Sequence, residues 1–277
     1  MSADHHCDAS ALAPEIIDET IGPLPTQMLA ATLGLVIPEL KAGSSIASLA
    51  HWLHCLPIVG HAELDENGHP RRGRNLPDLP LTKRMFAGSD IRFLAPIQVG
   101  QHIRRTGRVT QIAPKRGRSG DFYLVNLRQE YAGANGPLLI EDQKIIYRAS
   151  VGAAAAVVKP KEQAQWSRKY VPDERMLFRY SALLFSAHRI HFDRDYALGE
   201  GYPALVVHGQ LAATCLARLA EEQTGRELET FSYRSTGPLY ERRQMTACGR
   251  AVGDEAILWL VDDRGNVCVE AQARFRS

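Results

Sequence analysis

Two stretches of this chain read alike in the same order, and that commits it to a duplicated unit. R-F-L-A-P-I around Arg92 is followed by Gly107-Arg108, and R-S-T-G-P-L from Arg234 is followed by Gly249-Arg250, so that Arg92 answers to Arg234 and Gly107 to Gly249 at one common offset. Farther on, Gly136, Glu141 and Gln143 are answered by Gly265, Glu270 and Gln272, now at a smaller offset. The shortfall fits an insertion in the basic, glycine-rich stretch around 113–122, which has no counterpart after Arg250. A single match arises by chance. Ordered matches flanking one insertion argue for repetition of a supersecondary unit.

Each copy has the grammar of antiparallel strands. Residues 89–93, 101–111, 123–131 and 138–147 in the first copy, and 229–234, 244–252, 256–262 and 267–276 in the second, are rich in β-branched and aromatic side chains and separated by Gly, Pro or Asn. Asn135-Gly136 and Arg264 to Asn266 supply hairpin turns. The second copy also predicts a helix over 210–224, stopped by Gly225, with Leu211, Cys215, Leu216 and Leu219 at helical spacing. Ala212, Ala213, Ala217 and Ala220 are small enough for a curved sheet to close on it. In the first copy a helix is expected over 44–56, presenting Ile46, Leu49, Leu53 and Leu56 and stopped by Pro57. The class is therefore α+β, a helix embraced by a four-stranded sheet, twice; other α+β sandwiches satisfy the same periodicity. The expected division is a supporting domain over 1–150, a small-residue and charged connection over 151–163, and a working domain over 164–277.

Composition narrows the function. With Lys+Arg 33 against Asp+Glu 31, a net charge of +2 excludes a nucleic-acid sleeve, and 45% hydrophobic content excludes a disordered chain. No run of about 18 apolar residues is present to cross a membrane, and residues 1–10 lack the basic and apolar regions of a secretory signal, so a cytoplasmic location is expected. The five cysteines form no C-x-x-C pair and read as reduced thiols. The signatures of a P-loop, a dinucleotide fingerprint and a serine-hydrolase elbow are missing.

One segment concentrates reactive side chains. Between Phe178 and Gly209 lie His188, His191 and His208, the acids Asp193, Asp195 and Glu200, and Tyr180 and Tyr202; the first copy has no such grouping. Val207-His208-Gly209 stands directly before the second-copy helix, where unpaired N–H groups and the helix dipole stabilise an anion and glycine allows close approach. His188-x-x-His191-x-Asp193 has the residue types of a metal triad, but without a helical H-E-x-x-H it ranks below acid–base chemistry, and neither metal nor cofactor is expected.

The runs Phe185-Ser186-Ala187-His188-Arg189-Ile190-His191-Phe192-Asp193 and Tyr202-Pro203-Ala204-Leu205-Val206-Val207-His208-Gly209 resemble the signature of MaoC-like enoyl-thioester hydratases. More narrowly, with Trp52-Leu53, His69-Pro70-Arg71-Arg72-Gly73, Arg84-Met85-Phe86-Ala87-Gly88 and Arg116-Gly117-Arg118-Ser119-Gly120, the chain resembles the hydroxyacyl-thioester dehydratase type 2 branch over nearly its whole length. The resemblance implies a double hot-dog fold and hydration of a short, branched or dicarboxylic enoyl-CoA, mesaconyl-C4-CoA to citramalyl-CoA. It implies His191 as the proton-transferring residue and Gly209 N–H as the enolate-stabilising donor. The broader family's Asp, five residues before that His, is replaced here by Ser186, a hydroxyl that orients water but is no free carboxylate. His208, Arg189, Tyr180 and Tyr202 are candidate substrate contacts, and Arg116 and Arg118 are candidates for the phosphates of the acyl-CoA thioester. Acyl-CoA thioesterase activity and non-catalytic thioester binding are the alternatives on the same fold. Association of like chains through sheet edges is expected, with no nucleic-acid or membrane partner.

Overall fold

The computed structural model describes residues 9–73, 75–81, 83–117, 120–149 and 158–276. All eight strands expected from the alternation form, and two more join them. The first half comprises β1 (Glu15–Thr20), α1 (Leu24–Thr32), β2 (Lys83–Phe93), β3 (His102–Gly117), β4 (Gly120–Gly133) and β5 (Gly136–Arg148). The second comprises β6 (Trp166–Tyr170), α2 (Glu174–Leu183), α3 (Arg194–Gly199), α4 (Gly209–Thr224), β7 (Leu228–Ser235), β8 (Met245–Val252), β9 (Glu255–Val261) and β10 (Val267–Phe275). They make one ten-stranded sheet in the order β1-β3-β4-β5-β2-β7-β10-β9-β8-β6. The order reads the same from either edge, with β2 and β7 paired at the centre and Ile91 opposite Phe231. This is the double hot-dog arrangement.

Strand register confirms the duplication. Gly107 faces Gln129 across the β3–β4 pair, and its counterpart Gly249 faces Leu258 across the β8–β9 pair. Gln129 and Leu258 are thus equivalent at the smaller of the two offsets, which locates the insertion in the long extension of the β3–β4 hairpin. The carbonyl of Leu138 accepts from Leu94 and Ala95 N–H, and the carbonyl of Cys268 accepts from Thr236 and Gly237 N–H. That repeated pattern makes Leu138 of β5 the counterpart of Cys268 of β10, which corrects the expected equivalence of Glu141 with Glu270: Glu141 corresponds to Ala271. The extra residue lies in the turn, where Asp263, Arg264 and Gly265 link paired Asp262 and Asn266, whereas only Ala134 and Asn135 separate Gly133 from Gly136.

Helix α4 is the expected one. Leu211, Cys215, Leu216, Leu219 and the four alanines are buried in the wrap of the second half-sheet, and Gly225 ends the helix at φ +66° with its N–H on Glu221 O. Burial of each leucine is worth roughly 1.5–3 kcal/mol, so this face fixes the helix in the sheet.

The helix expected over 44–56 does not form. Its backbone is claimed elsewhere: Ile46 N–H bonds to Ile97 O, and Ser44 O accepts from Val99 N–H, which holds the segment extended against the 97–99 stretch. Only a four-residue 3₁₀ turn, Ala50–Leu53, follows, bounded by Leu49 and Cys55 at positive φ. Of the expected apolar face, Leu49 and Leu53 enter the core, joined by Trp52, while Ile46 and Leu56 are only half-buried.

Residues 151–157 of the expected connection, and Cys7, lie outside the described residues. Cys55, Cys215, Cys248 and Cys268 are free and buried. No helix among the described residues is long and apolar enough to cross a membrane.

Candidate active site

The reactive segment leaves α2 through a sharp bend. Phe185 takes φ +48°, and Ser186 N–H bonds back to Ser181 O at 2.9 Å, which turns residues 186–191 away from the helix axis. Asp193 then caps α3, accepting from Tyr196 N–H at 3.0 Å. The chain returns along itself, with Val206 N–H on Ile190 O and Val207 N–H on Leu239 O. His208 is the residue before α4, and Gly209 is its first.

That fold-back fixes the tautomer of His191. Its Nδ1–H donates to Val206 O at 2.7 Å, so Nε2 carries the lone pair and has no partner among the described residues. Burial holds its pKa down at about 4, with the Val206 bond opposing the shift, so the imidazole is neutral at neutral pH and is a base. His208 stacks on it with ring centroids 3.7 Å apart, and Ser181 Oγ lies 2.9 Å from His208 Nε2. Burial, then the neighbouring His191 and His188, push His208 well below the ordinary histidine range. His188 meets His191 edge-on at 5.2 Å. The N–H of Gly209 has no acceptor among the described residues and opens α4 toward the same space. A β-carbon at Gly209 would stand 3.3 Å from Ser235 Oγ, so glycine keeps the approach clear.

That space is a cavity of about 1300 Å³. Ser186, His191, Tyr202, His208 and Gly209 line it together. Tyr180 does not; it is buried behind His208, 5.0 Å between rings. Arg189 faces away, its guanidinium bonded to Asp193 at 2.8 and 2.9 Å and lying 4.3 Å over the Tyr196 ring. The same pairing takes Asp193 out of any triad with the two imidazoles. Arg116 stands on the β3–β4 hairpin, 87% exposed and paired with Asp121 at 3.0 Å; Arg118 lies outside the described residues.

Much of the cavity lining comes from the first half, and two of its residues, neither with an expected role, stand near His188. His69 sits 4.0 Å from His188, ring to ring, and Arg84 lines the wall beside them. The loop that carries His69 is built for this docking. Asp65 Oδ1 accepts from the N–H groups of Asn67 and His69, both at 3.0 Å. Asn67 O takes Arg189 N–H at 3.0 Å, and its side chain meets Tyr196 OH. Gly68, at φ +84°, rests on the Ala187 carbonyl so closely that a β-carbon would overlap it. No local signal announces this contact, because it joins residues from opposite halves of the chain. The half expected to be only supporting therefore forms one wall of the site.

Residues 49–241 match the family described as hydroxyacyl-thioester dehydratase type 2. The chain is 42% identical over 217 residues to the mesaconyl-C(4)-CoA hydratase of Chloroflexus aurantiacus, covering 77% of this chain and 78% of that one. In fold it is similar to a MaoC-like dehydratase from Phytophthora capsici, with TM-score 0.74, 15% identity and 96% of each chain covered. It is also similar to a conserved hypothetical protein of Mycobacterium tuberculosis with a double hotdog fold, with TM-score 0.58, 12% identity and coverage of 96% and 97%.

Proposed function

The chain belongs to the hydroxyacyl-thioester dehydratase type 2 family, and from that premise we propose that it is a hydro-lyase adding water to mesaconyl-C4-CoA to give citramalyl-CoA. One observation carries the site reading: an imidazole, His191, with Nδ1–H fixed on Val206 O and a free Nε2, at a cavity closed by the N-terminus of α4. Nε2 takes a proton from water as the oxygen bonds to the β-carbon. The electron pair of the double bond moves toward the thioester oxygen, where Gly209 N–H and the helix dipole stabilise the enolate. Collapse of the enolate places a proton on the α-carbon, returned by the His191 imidazolium, and the histidine is neutral again. Ser186, on the same wall, orients the water without taking its proton. His208 holds the plane of the His191 ring by stacking, and Tyr202 is a wall of the acyl pocket.

The edge strands β1 and β6 leave backbone groups unpaired, which supports assembly of like chains there; a cytoplasmic location completes the reading. The test is a panel of enoyl-CoA thioesters followed at once by enoyl absorbance and free thiol. Loss of absorbance without thiol release is the result expected. Thiol release makes the protein a thioesterase, and no change makes it a binder.

A further inference from the structure

Arg84 is a buried cation whose one ion pair among the described residues, to Asp65, is long. Its side chain is 8% exposed, yet its Nη2 donates to a neutral acceptor, Pro70 O at 3.0 Å, and reaches one carboxylate, Asp65, only at 3.5 Å. Asp65 serves it only at that length through Oδ2, while Oδ1 holds the Asn67 and His69 N–H groups. The nearby Tyr147 phenol brings no charge, because burial pushes its pKa up. The other buried guanidinium on the cavity wall, Arg105, has its own carboxylate in Glu15, and Lys83 is 2.5 Å from Glu200. Removing a guanidinium from water is costly unless a well-placed anion compensates it. A single long pair leaves Arg84 able to take a second anion from the cavity that it lines.

The groups around Arg84 suit a carboxylate. His69 and His188 bring ring nitrogens that make no hydrogen bond among the described residues, and both line the cavity with Arg84. Burial first, and then the Arg84 charge, keep His69 down at about 3, so it is neutral and offers one N–H. A planar guanidinium with free donors binds a carboxylate through two parallel bonds, which an ammonium cannot do.

We propose that Arg84, flanked by His69 and His188, is the subsite for the free carboxylate of the acyl group. This rests on the dicarboxylic substrate of the preceding reading and gives it a physical basis. In a C4 thioester of mesaconate the free carboxylate is attached to the β-carbon, the atom that receives water. It must therefore sit within a few ångströms of the water held by His191, given contacts of about 3 Å from base to water and from water to carbon. His188, 5.2 Å from His191 and 4.0 Å from His69, borders that place. The subsite holds the β-carbon in register with the base, and a monocarboxylic enoyl-CoA leaves the guanidinium with only its long pair to Asp65.

The test uses saturated ligands that are not turned over, so binding is read apart from chemistry. Dissociation constants for succinyl-CoA and butyryl-CoA, which differ by the carboxylate in question, are measured on the wild type, Arg84→Met and Arg84→Lys, each checked for its melting temperature. The wild type is expected to prefer succinyl-CoA by about a hundredfold, because a site made for a polar group rejects the ligand that lacks it. Arg84→Met reduces the preference to about twofold, and Arg84→Lys keeps part of it, since the charge stays but the fork is lost. A wild type with no preference overturns the subsite, as does an Arg84→Met protein that keeps it. Hydration of mesaconyl-C4-CoA is assayed in the same preparations. A wild type that prefers succinyl-CoA but hydrates no dicarboxylic enoyl-CoA supports the subsite and contradicts the proposed reaction. One that hydrates mesaconyl-C4-CoA while Arg84→Met still discriminates contradicts the subsite alone.

Discussion

Inside the first half-sheet, Glu141 accepts from Ser89 Oγ at 2.7 Å, from Trp52 Nε1 at 3.0 and 3.1 Å and from His51 Nε2 at 3.3 Å. At the matching strand positions the second half has Ala271 for Glu141 and Phe231 for Ser89, and α4 fills the wrap. Burial alone raises the Glu141 pKa, but the bonds from His51, Ser89 and Trp52 outweigh it and hold it below the usual range. The carboxylate–imidazole pair that acid–base chemistry usually wants is therefore present, in the half where no substrate reaches it. The half with the open cavity has an imidazole and no carboxylate partner. Access, rather than the presence of the pair, separates a structural network from a reactive one.

The comparison breaks first at Glu141. Glu141→Ala leaves the His51 and Trp52 donors buried and unpaired, and should lower unfolding stability by about 3–5 kcal/mol, read from urea melts. A loss under about 1 kcal/mol, the scale of one ordinary hydrogen bond, would mean that the network contributes little to the fold. Next is the loop that carries first-half residues into the second-half site. Gly68→Val adds a β-carbon against the Ala187 carbonyl and should cost about a hundredfold in kcat/KM, with a melting temperature less affected than in Glu141→Ala. If only stability changes, the first half does not shape the site.

Acid sharpens the contrast more gently. His69 at about 3 and His191 at about 4 lie below the 6.5 of an ordinary histidine because burial disfavours their charged forms. Between those values the unfolded chain binds more protons than the folded one. Their contribution is complete above about pH 6.5 and is lost as the pH falls through about 4 for His191 and about 3 for His69. A melting temperature that rises on acidification from about pH 7 to about pH 5 contradicts this. The smallest effect is Ser186→Ala, which removes an orienting hydrogen bond and no charge. It should lower kcat by about threefold to tenfold with KM unchanged; loss as deep as that of a His191 variant would make Ser186 part of the proton relay.

The eight central strands are legible in the sequence because alternation is a local signal that tertiary contacts rarely overrule. β1 and β6 carry no such signal, since E-I-I-D-E-T and W-S-R-K-Y are short, charged edge segments. The helix expected over 44–56 fails for a physical reason: its apolar spacing marks Leu49 and Leu53 as buried, but the backbone at Ser44 and Ile46 pairs with the 97–99 stretch. The one-residue slip at Glu141 arises from the longer β9–β10 turn, whose Gly265 imitates Gly136 in sequence but not in position. At the site, residues close in sequence can be read together, and Ser186, His191, His208 and Gly209 do line one cavity. His69 reaches it through a docked loop and Arg84 from strand β2, both from the other half of the chain, which no spacing records.

The central claim is that turnover depends on the cavity-lining histidine and folding on the sealed carboxylate. Parallel preparations of His191→Gln and Glu141→Gln, each assayed for kcat on mesaconyl-C4-CoA and for melting temperature, test it directly. His191→Gln should lose about a thousandfold or more in kcat and melt within a few degrees of wild type, while Glu141→Gln melts far lower and, below its transition, turns over within a few-fold of wild type. A folded Glu141→Gln protein as inactive as His191→Gln, or a His191→Gln protein that keeps most of its turnover, would contradict the account.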